Sequence, residues 1–492
     1  MDDKLIYELV KERDLSSDNF IILRYQMRKT RAVNFDGYKF TYYYDDDRGI
    51  GIQAISKEDR IAFCYTDLID YWHLKKLINM SILLSNQEVS TLYIPGLYNY
   101  YYSKEIKNIN NIYSEANLNI DLYKDLIIKE NEYAKNIMQC NDINTYLLLG
   151  YEIWEIFNSN GLAIKYDYSF SSLRHNIKLE TNQYKYKFQV SMSGKNGEVL
   201  TNPIKNEVFK RKTKCKAERI RNVKNYYENL DNYEKCMGNI SKIVFDYDFL
   251  SVLIHEMIGH SVEEDLANTN NFLCKNNKLA LNKIIAPPYF NVVDNPNYEY
   301  WGYQPYDLDG NKRNEVEIIR KGVVKDGLYS LYYSDNLKNV NFSDRVDSYK
   351  DMPLPRMSNL TLRIDNVIYR KLEKELTDLS ELRDLLINEE YISENEEVLY
   401  LLGSNGGKVN VKDNVCKIMP EYCCILSNDK TKVLPQRRMK INIEQVCKSA
   451  LVGIGKVNDN SYFLCKKKGQ IVNVSGGSNM YVLFSKFNID FE

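Results

Sequence analysis

The order of hydrophobic and polar residues in the first part of the chain alternates between the period of strands and the period of helices. Residues 48–52 and 61–64 predict two short strands joined by a turn at residues 57–59. Residues 68–84 and 119–138 predict amphipathic helices, because their apolar residues recur every three to four positions. The first part is therefore predicted to mix helices and strands.

The pattern changes after residue 240. A short strand at residues 242–245 precedes a predicted helix at residues 248–266, for which Asp248 is a suitable N-cap. Residues 249–254 are apolar on most sides of this helix, which is typical of a buried helix. One further helix is predicted at residues 377–388. The other predicted elements are strands, at residues 290–293, 322–333, 360–364, 408–411, 415–427 and 480–487.

These elements predict an α+β fold with two domains. Residues 1–200 are expected to form a mixed α/β N-terminal domain, and residues 201–492 a β-rich C-terminal domain that carries one buried, metal-binding helix. Ser193 to Gly197 is rich in turn-forming residues and marks the candidate boundary. A chain of 492 residues is long enough for two separate hydrophobic cores.

The charge balance argues against a polyanionic partner. Lys and Arg number 66 and Asp and Glu 67, so neither a nucleic acid nor a membrane surface is expected as the main partner. The basic run at residues 205–224 is interpreted as the solvated face of a helix. The acidic N-terminus differs from a signal peptide, and no apolar run approaches the roughly 20 residues of a membrane span. We therefore predict a cytoplasmic protein whose ten cysteines are reduced thiols.

The buried helix contains the segment HEMIGH (residues 255–260), which holds two of the four histidines of the chain. Imidazole is the commonest zinc ligand, and a carboxylate beside a metal-binding histidine is placed to act as a hydrolytic base. The competing interpretation is that His255 and His260 are ordinary core histidines. It requires buried polar partners for both histidines and for Glu256, so the segment favours a metal site.

The spacing of the two histidines predicts an irregular helix. They are five positions apart, which at about 100° per residue places them about 140° apart around a regular helix. Both can reach one metal only if the helix ends between them or widens locally. A π-bulge, with its i→i+5 repeat, would realign them, and Gly259 tolerates such a distortion.

Two histidines leave a catalytic zinc without its usual third protein ligand. The residues that can supply it include Glu263, Glu264, Asp265 and any of the cysteines. Spacing alone does not choose among them.

Several segments together resemble the TldD/PmbA family of zinc metallopeptidases. The segment HEMIGHSVEED (residues 255–265) is similar to the HExxxH segment of that family, and DMPLPRMSN (residues 351–359) to its MPRMTN-like segment. GSNGGKV (residues 403–409) resembles its glycine-rich loop before a strand. ALVGIG (residues 450–455) and CKKKGQ (residues 465–470) follow in the order of the family, so the specific likeness covers the second half of the chain.

This resemblance implies the site and the reaction. It implies that His255, His260 and Cys465 bind one zinc ion (Zn2+) per chain, and that Glu256 is the base that activates the zinc-bound water. The implied substrates are short or unfolded peptides, bound in extended conformation as an added strand and cleaved internally. The resemblance also implies a dimer, with a homologous subunit that often lacks the metal motif; this chain, which has the motif, is then the active partner.

Departures from the family pattern and two other functions stay open at this point. Glu264 stands where the family usually has glycine, the glycine-rich loop is one glycine short, and three lysines follow Cys465. These differences bear on substrate preference more than on the metal. One alternative function is a non-catalytic, zinc-stabilised scaffold or partner subunit. The other is a zinc amidase or deacylase that acts on a non-peptide amide.

Overall fold

The computed structural model describes most of the chain. In the ranges that it describes, no helix combines the length and the apolar character needed to cross a membrane. The described residues are 9, 19–87, 92–102, 109–110, 118–180, 185–194, 198–226, 240–267, 271–276, 278–298, 300–334, 337, 340–368, 379–428 and 430–492.

The first sheet is built from residues before 200. Its strands in chain order are β1 (Phe20–Phe35), β2 (Phe40–Ile55), β3 (Arg60–Thr66), β4 (Leu92–Tyr93), β5 (Ile109–Asn110), β6 (Ile143–Asn158), β7 (Ala163–Glu180) and β8 (Lys185–Gly194). Within the described ranges these eight strands pair in the order β4-β3-β2-β1-β6-β7-β5, and β8 also pairs with β7. The long central pairs are antiparallel, as expected for strands joined by short turns.

The strands predicted at residues 48–52 and 61–64 are confirmed as parts of β2 and β3, and Asp59, with a φ of 60°, lies in the turn between them. A neighbour from the second half of the chain leaves no room for a side chain at Gly49 and Gly51 of β2. A Cβ atom at either position would overlap Tyr349, at its ring or at its carbonyl oxygen. The first sheet therefore carries a segment of the second half directly on its surface.

The helices of the first half pack beside this sheet. They are α1 (Tyr71–Ser85), α2 (Leu97–Tyr102), a 3-10 helix (Ile120–Tyr123), α3 (Lys124–Met138), α4 (Glu198–Thr201) and α5 (Pro203–Tyr226). The helices predicted at residues 68–84 and 119–138 are confirmed. Helix α1 begins after Asp70, whose side chain accepts a hydrogen bond from the backbone N–H of His73 and so caps the first turn.

The second sheet comes from residues after 240. The strands of this half are β9 (Ile240–Asp246), β10 (Cys274–Lys275), β11 (Lys278–Leu279), β12 (Phe290–Asp294), β13 (Val316–Arg320), β14 (Val323–Val324), β15 (Asp344–Arg345), β16 (Leu354–Pro355), β17 (Asn359–Ile364), β18 (Val367–Ile368), β19 (Glu397–Asn410), β20 (Val415–Leu426), β21 (Thr431–Leu434), β22 (Met439–Asn442), β23 (Ala450–Lys467), β24 (Gln470–Ser485) and β25 (Ile489–Phe491). In the described part of the chain the main path runs β14-β13-β12-β17-β24-β9-β19-β20-β22-β25, with β23 on β24, β18 on β23 and β21 on β20. The pairs β10-β11 and β15-β16 stand apart as small ladders.

One buried helical segment lies on this sheet. It consists of α6 (Tyr247–Ile254), a π-helical turn (His255–Gly259), α7 (His260–Val262) and α8 (Glu264–Ala267). Helix α6 packs against β19 and β24. The remaining helices described in this half are α9 (Leu379–Asn388) and α10 (Ile443–Ser449).

The prediction that Asp248 caps the buried helix is wrong by two residues. The cap is Asp246, the last residue of β9, whose extended backbone turns its carboxylate toward the N–H of Phe249 at 2.9 Å. The same carboxylate accepts a hydrogen bond from the N–H of Gly403 at 2.8 Å. Asp246 therefore joins the helix to the glycine-rich part of β19, and Asp248 lies in the first turn.

The interpretation of the basic run as a solvated face is also wrong for one side of α5. Lys216 and Arg219 are buried there, and they form ion pairs with Glu421 and Asp246 respectively. These pairs connect α5 to β20 and β9 of the second sheet. The charge pattern did not reveal them because both carboxylates are far away in the sequence.

The strand predicted at residues 322–333 is wrong except for β14. The rest of that run forms turns, and its apolar residues Leu331 and Tyr332 are buried against residues of the first sheet. Burial by a neighbouring unit produces the same apolar pattern as burial within a sheet. The α+β class is confirmed, and each of the two main sheets lies on its own side of residue 200. The division into two domains at that residue stays a prediction.

Candidate metal centre

The π-helical turn brings the two histidines together. The N–H of His260 donates to the carbonyl oxygen of His255, which is the i→i+5 bond that the five-residue spacing requires. The two imidazole rings have centroids 4.9 Å apart at an angle of 79°. The predicted irregular helix is thus present at the predicted residues.

The reason for Gly259 differs from the one predicted. Its φ is −54°, an ordinary helical value, so the turn does not need the conformational freedom of glycine. Instead, a Cβ atom at this position would overlap the sulfur of Met357. Met357 belongs to the segment at residues 351–359, which therefore packs directly against the turn that holds the histidines.

Cys465 on β23 completes a buried group of three donor residues. Its Sγ lies 3.5 Å from Nε2 of His260, and one ligand atom from each of His255, His260 and Cys465 lies within 4.8 Å of the others. All three residues are buried, and no described residue hydrogen-bonds Nδ1 of His255. Burial alone would raise the pKa of Cys465, but the two histidines lower it well below its usual range. The thiolate that a metal binds is thereby favoured.

The three acidic candidates for the third ligand have other partners. Glu263 accepts a bond of 2.9 Å from Lys467 and lies 2.7 Å from Nδ1 of His260. Glu264 accepts from the N–H of Ser330 at 2.9 Å. Asp265 accepts from Lys467 at 2.7 Å.

Glu263 and Lys467 orient His260. Burial would raise the pKa of Glu263, but Lys467 and His260 lower it below its usual range, so the carboxylate stays ionised. An ionised carboxylate at Nδ1 leaves Nε2 of His260 pointing toward Cys465. This is the arrangement in which metal-binding histidines are usually held, with the second ring nitrogen bonded to a carboxylate.

Glu256 follows His255 in the π-helical turn, and its side chain contacts the glycine-rich part of strand β19. Its Oε2 accepts a hydrogen bond of 3.1 Å from the N–H of Val409. Gly407 permits this approach, because a Cβ atom there would lie only 3.1 Å from Cγ of Glu256. Within the described residues no other hydrogen bond to this carboxylate is found, so Oε1 is available to a substrate or a water.

Arg356 fixes the strand that carries the thiol. Its guanidinium is fully buried and donates from Nη2 to the carbonyl oxygen of Cys465 at 2.6 Å. Lys467 donates to the neighbouring carbonyl of Pro355 at 2.7 Å. The segment at residues 351–359 therefore contacts both the π-helical turn and β23, and it holds the two histidines and the thiol in one place.

The donors present fit a metal of the zinc type. Two imidazoles and one thiol make a nitrogen and sulfur set that zinc takes in proteins. The unbonded Nδ1 of His255 is the kind of orphaned buried atom that a missing ligand explains.

Sequence reasoning did not identify Glu263 as the partner of His260, nor the roles of Lys467 and Phe463. One available signal was the period of a strand. Phe463, Cys465 and Lys467 alternate along β23 and so face the same side, and the ring of Phe463 stacks edge-on 4.7 Å from the ring of His255. Lys467 had been noted only as one of three unusual lysines after the cysteine.

Comparisons with known proteins relate the chain to metallopeptidases. The model of the PmbA/TldA metallopeptidase C-terminal domain matches residues 238–471. A metalloprotease of Archaeoglobus fulgidus is 25% identical over 237 residues, which are 48% of this chain and 50% of that protein. The zinc metalloprotease TldD homolog of Saccharolobus solfataricus is 25% identical over 239 residues, which are 48% of each chain. The chain thus matches about half the length of these relatives.

Two solved structures share the fold over nearly the whole length. A candidate modulator of a DNA gyrase from Thermotoga maritima superposes with a TM-score of 0.70, at 12% identity and 99% coverage of both chains. TldE from Thermococcus kodakarensis superposes with a TM-score of 0.67, at 11% identity and the same coverage. The matched domain at residues 238–471 includes every residue of the candidate metal centre. The chain shares the fold of these two structures over nearly its whole length, and its residues 238–471 form a domain of the PmbA/TldA metallopeptidase family.

Proposed function

We propose that the chain is a zinc-dependent peptidase in which His255, His260 and Cys465 hold one zinc ion and Glu256 is the general base. One observation carries this proposal. Three buried donors, two of them 205 residues apart in the sequence, come together in the fold, and Glu256, the residue after the first donor, has a carboxylate that is bonded through one of its oxygens. Core histidines would not need a thiol at this distance.

A zinc ion bound by these residues supplies Lewis acidity, which lowers the pKa of a water and polarises a peptide carbonyl. The protein supplies the proton transfers. Glu256, held at Oε2 by Val409, receives the proton of the attacking water on Oε1 and passes it to the leaving amine. Glu263 keeps His260 in the tautomer that presents Nε2, because its own carboxylate is bonded at Nδ1.

The proposed substrates are short or unfolded peptides in extended conformation. Strand β19 pairs with β9 only over residues 397–401. Further along β19, the N–H of Val409 donates to Glu256 and not to a neighbouring strand. This part of β19 can pair with an extended peptide, whose backbone then lies beside Glu256. Backbone pairing of this kind gives affinity with little dependence on sequence.

We also propose that the active form is a cytoplasmic dimer. The family resemblance supports a homologous second subunit without the metal motif, and the likeness of the fold to TldE is consistent with such a partner. Mass determination of the purified complex tests this proposal, since a single species of about twice the monomer mass is expected.

The deciding experiment is Glu256→Gln, measured for zinc content, melting temperature and hydrolysis of a quenched unstructured peptide, with any partner subunit present. Zinc and melting temperature should match the wild type, because Gln has the size of Glu and its side-chain oxygen can still accept the hydrogen bond of Val409. Hydrolysis should fall by about 10²–10⁴-fold, the usual cost of removing a positioned proton acceptor. Glu317→Gln, an exposed glutamate on β13, is the matched control and should behave as the wild type.

The same measurements separate the other functions. Loss of zinc or of stability in Glu256→Gln, with no peptide hydrolysis in the wild type, would favour a zinc-stabilised scaffold. Hydrolysis of a non-peptide amide in preference to every peptide tested would favour an amidase or deacylase. Unchanged peptide hydrolysis in Glu256→Gln would remove this residue as the base.

A further inference from the structure

A cavity of about 570 Å³ lies between the first sheet and the hairpin formed by β23 and β24. Its size is within the range of pockets that bind small ligands or a few residues of a peptide. One wall consists of side chains from β6 and β7, and the opposite wall consists of residues 462–464 and 471–473 of the hairpin.

The cavity borders the candidate metal centre. Phe463 lines it and also stacks 4.7 Å from the ring of His255. Val472 lines it and is the cross-strand partner of Cys465. A peptide whose scissile bond lies at the three donors can therefore extend into this cavity.

Aromatic rings form much of its surface. Phe170 and Trp301 meet edge-on with centroids 5.0 Å apart, and Trp301 lies 4.8 Å from Tyr462. Rings in these arrangements attract a further aromatic side chain by burial and by edge-to-face contact.

Two arginines of the cavity, Arg28 and Arg174, differ in their hydrogen-bond and ion-pair partners. Arg28 forms ion pairs with Glu152 at 2.9 Å and Asp347 at 3.1 Å. Arg174 also lines the cavity, but it has no described carboxylate within ion-pair distance, and its buried Nε has no acceptor. Its guanidinium lies over the ring of Tyr462, 5.9 Å from the centroid, and also near Tyr146.

We propose that this cavity binds the C-terminal end of the substrate peptide, with Arg174 receiving the α-carboxylate and Trp301 with Phe170 receiving an aromatic side chain. The inference rests on the proposed peptidase function and names its substrate class. A peptide ligand carries one fixed anion, its C-terminal carboxylate, and an unpaired guanidinium is the side chain that binds carboxylates best.

The experiment compares two peptides that end in phenylalanine and differ only in a free or an amidated C-terminus. Binding is measured by fluorescence anisotropy on the zinc-loaded protein, and kcat/KM is measured for the same pair. The wild type should favour the free acid by about tenfold or more, as expected for a charge-assisted hydrogen bond. In Arg174→Gln the ratio of acid to amide should fall to about one. Arg320→Gln, an exposed arginine on β13, should keep the wild-type ratio.

The two proposals fail in different ways. Hydrolysis of both peptides at equal kcat/KM, with equal affinity, would overturn the role of the cavity and leave the peptidase intact. Selective binding of the acid without hydrolysis of either peptide would support the cavity and remove the peptidase. Absence of binding to either peptide, or selectivity retained in a folded Arg174→Gln protein, would also overturn the role of the cavity.

Discussion

Among the residues that the structure describes, two buried groups of three metal-ligand side chains occur, and they are built differently. His255, His260 and Cys465 form one group; Asp307, Asp309 and Asp344 form the other, and in each group the three ligand atoms lie within 4.8 Å of one another. Distance and burial alone do not distinguish them. The difference lies in what surrounds the donor atoms.

The carboxylate group has its own counter-charge. Arg24 of β1 donates to Asp309 at 2.6 Å, to the carbonyl oxygen of Leu308 at 2.6 Å and to the hydroxyl of Tyr332 at 2.8 Å. Asp307 accepts bonds from the side chain and backbone of Asn311. This group therefore links the first sheet to a loop of the second half.

The surroundings of the carboxylate group favour a protonated carboxyl at Asp344. Burial and the nearby Asp309 raise the pKa of Asp344 well above its usual range. At the histidine and thiol group the neighbouring charges act in the opposite direction and lower the pKa of Cys465. Closeness of the donors therefore does not by itself identify a metal site. The surroundings of the donors must also favour the form that binds a metal.

The largest expected effect is on metal content. Cys465→Ser should lose the zinc and all hydrolysis, because the third donor is removed and Glu263, Glu264 and Asp265 are held by other partners. Asp309→Asn should keep one zinc per chain by elemental analysis, as should Cys423→Ser and Cys424→Ser. Wild-type zinc in Cys465→Ser, or zinc lost in Asp309→Asn, would reverse the assignment of the two groups.

The next effect is on stability and concerns Arg24. Arg24→Met should lower the free energy of unfolding by about 3–5 kcal/mol, because it leaves the buried charge of Asp309 without its partner. Zinc content should not change. The double variant Arg24→Met with Asp309→Asn should recover part of the loss in urea unfolding, and a strictly additive loss would contradict the coupling.

The smallest effect is a pH dependence at Asp344. The folded pKa is raised, so the folded state holds the proton more tightly than the unfolded state, whose Asp pKa is about 3.9. This residue then lowers stability as the pH rises above about 4, up to its folded pKa. Asp344→Asn should remove this decline, with a gain at neutral pH of about 1.4 kcal/mol for each unit of the raised pKa. Parallel curves of unfolding free energy against pH for the two proteins would contradict it.

The sequence was sufficient to predict those features of the site that depend on local spacing. The spacing of five positions from His255 to His260 predicted an irregular helix, with an i→i+5 turn as one solution, and that turn is present. Amphipathic periods likewise located α1 and α3. Cys465 was chosen through the family resemblance, since no local pattern joins residues that far apart.

Features that depend on contacts between distant segments were missed. The buried pairs of Lys216 and Arg219 need Glu421 and Asp246, and the overlap that excludes a side chain at Gly259 needs Met357. The apolar run at residues 322–333 suggested a strand because burial by another sheet leaves the same pattern as burial within one. Only the assembled fold specifies such partners.

The separation of 205 residues between His260 and Cys465 has a consequence for biosynthesis. At about 5–20 residues per second, the ribosome delivers the cysteine roughly 10–40 s after the second histidine. During that interval the nascent chain has two of its three donors and lacks β23, so it has no site of the final affinity. At the proposed site, metal binding at full affinity therefore follows the synthesis of the last hairpin, which supplies the third donor.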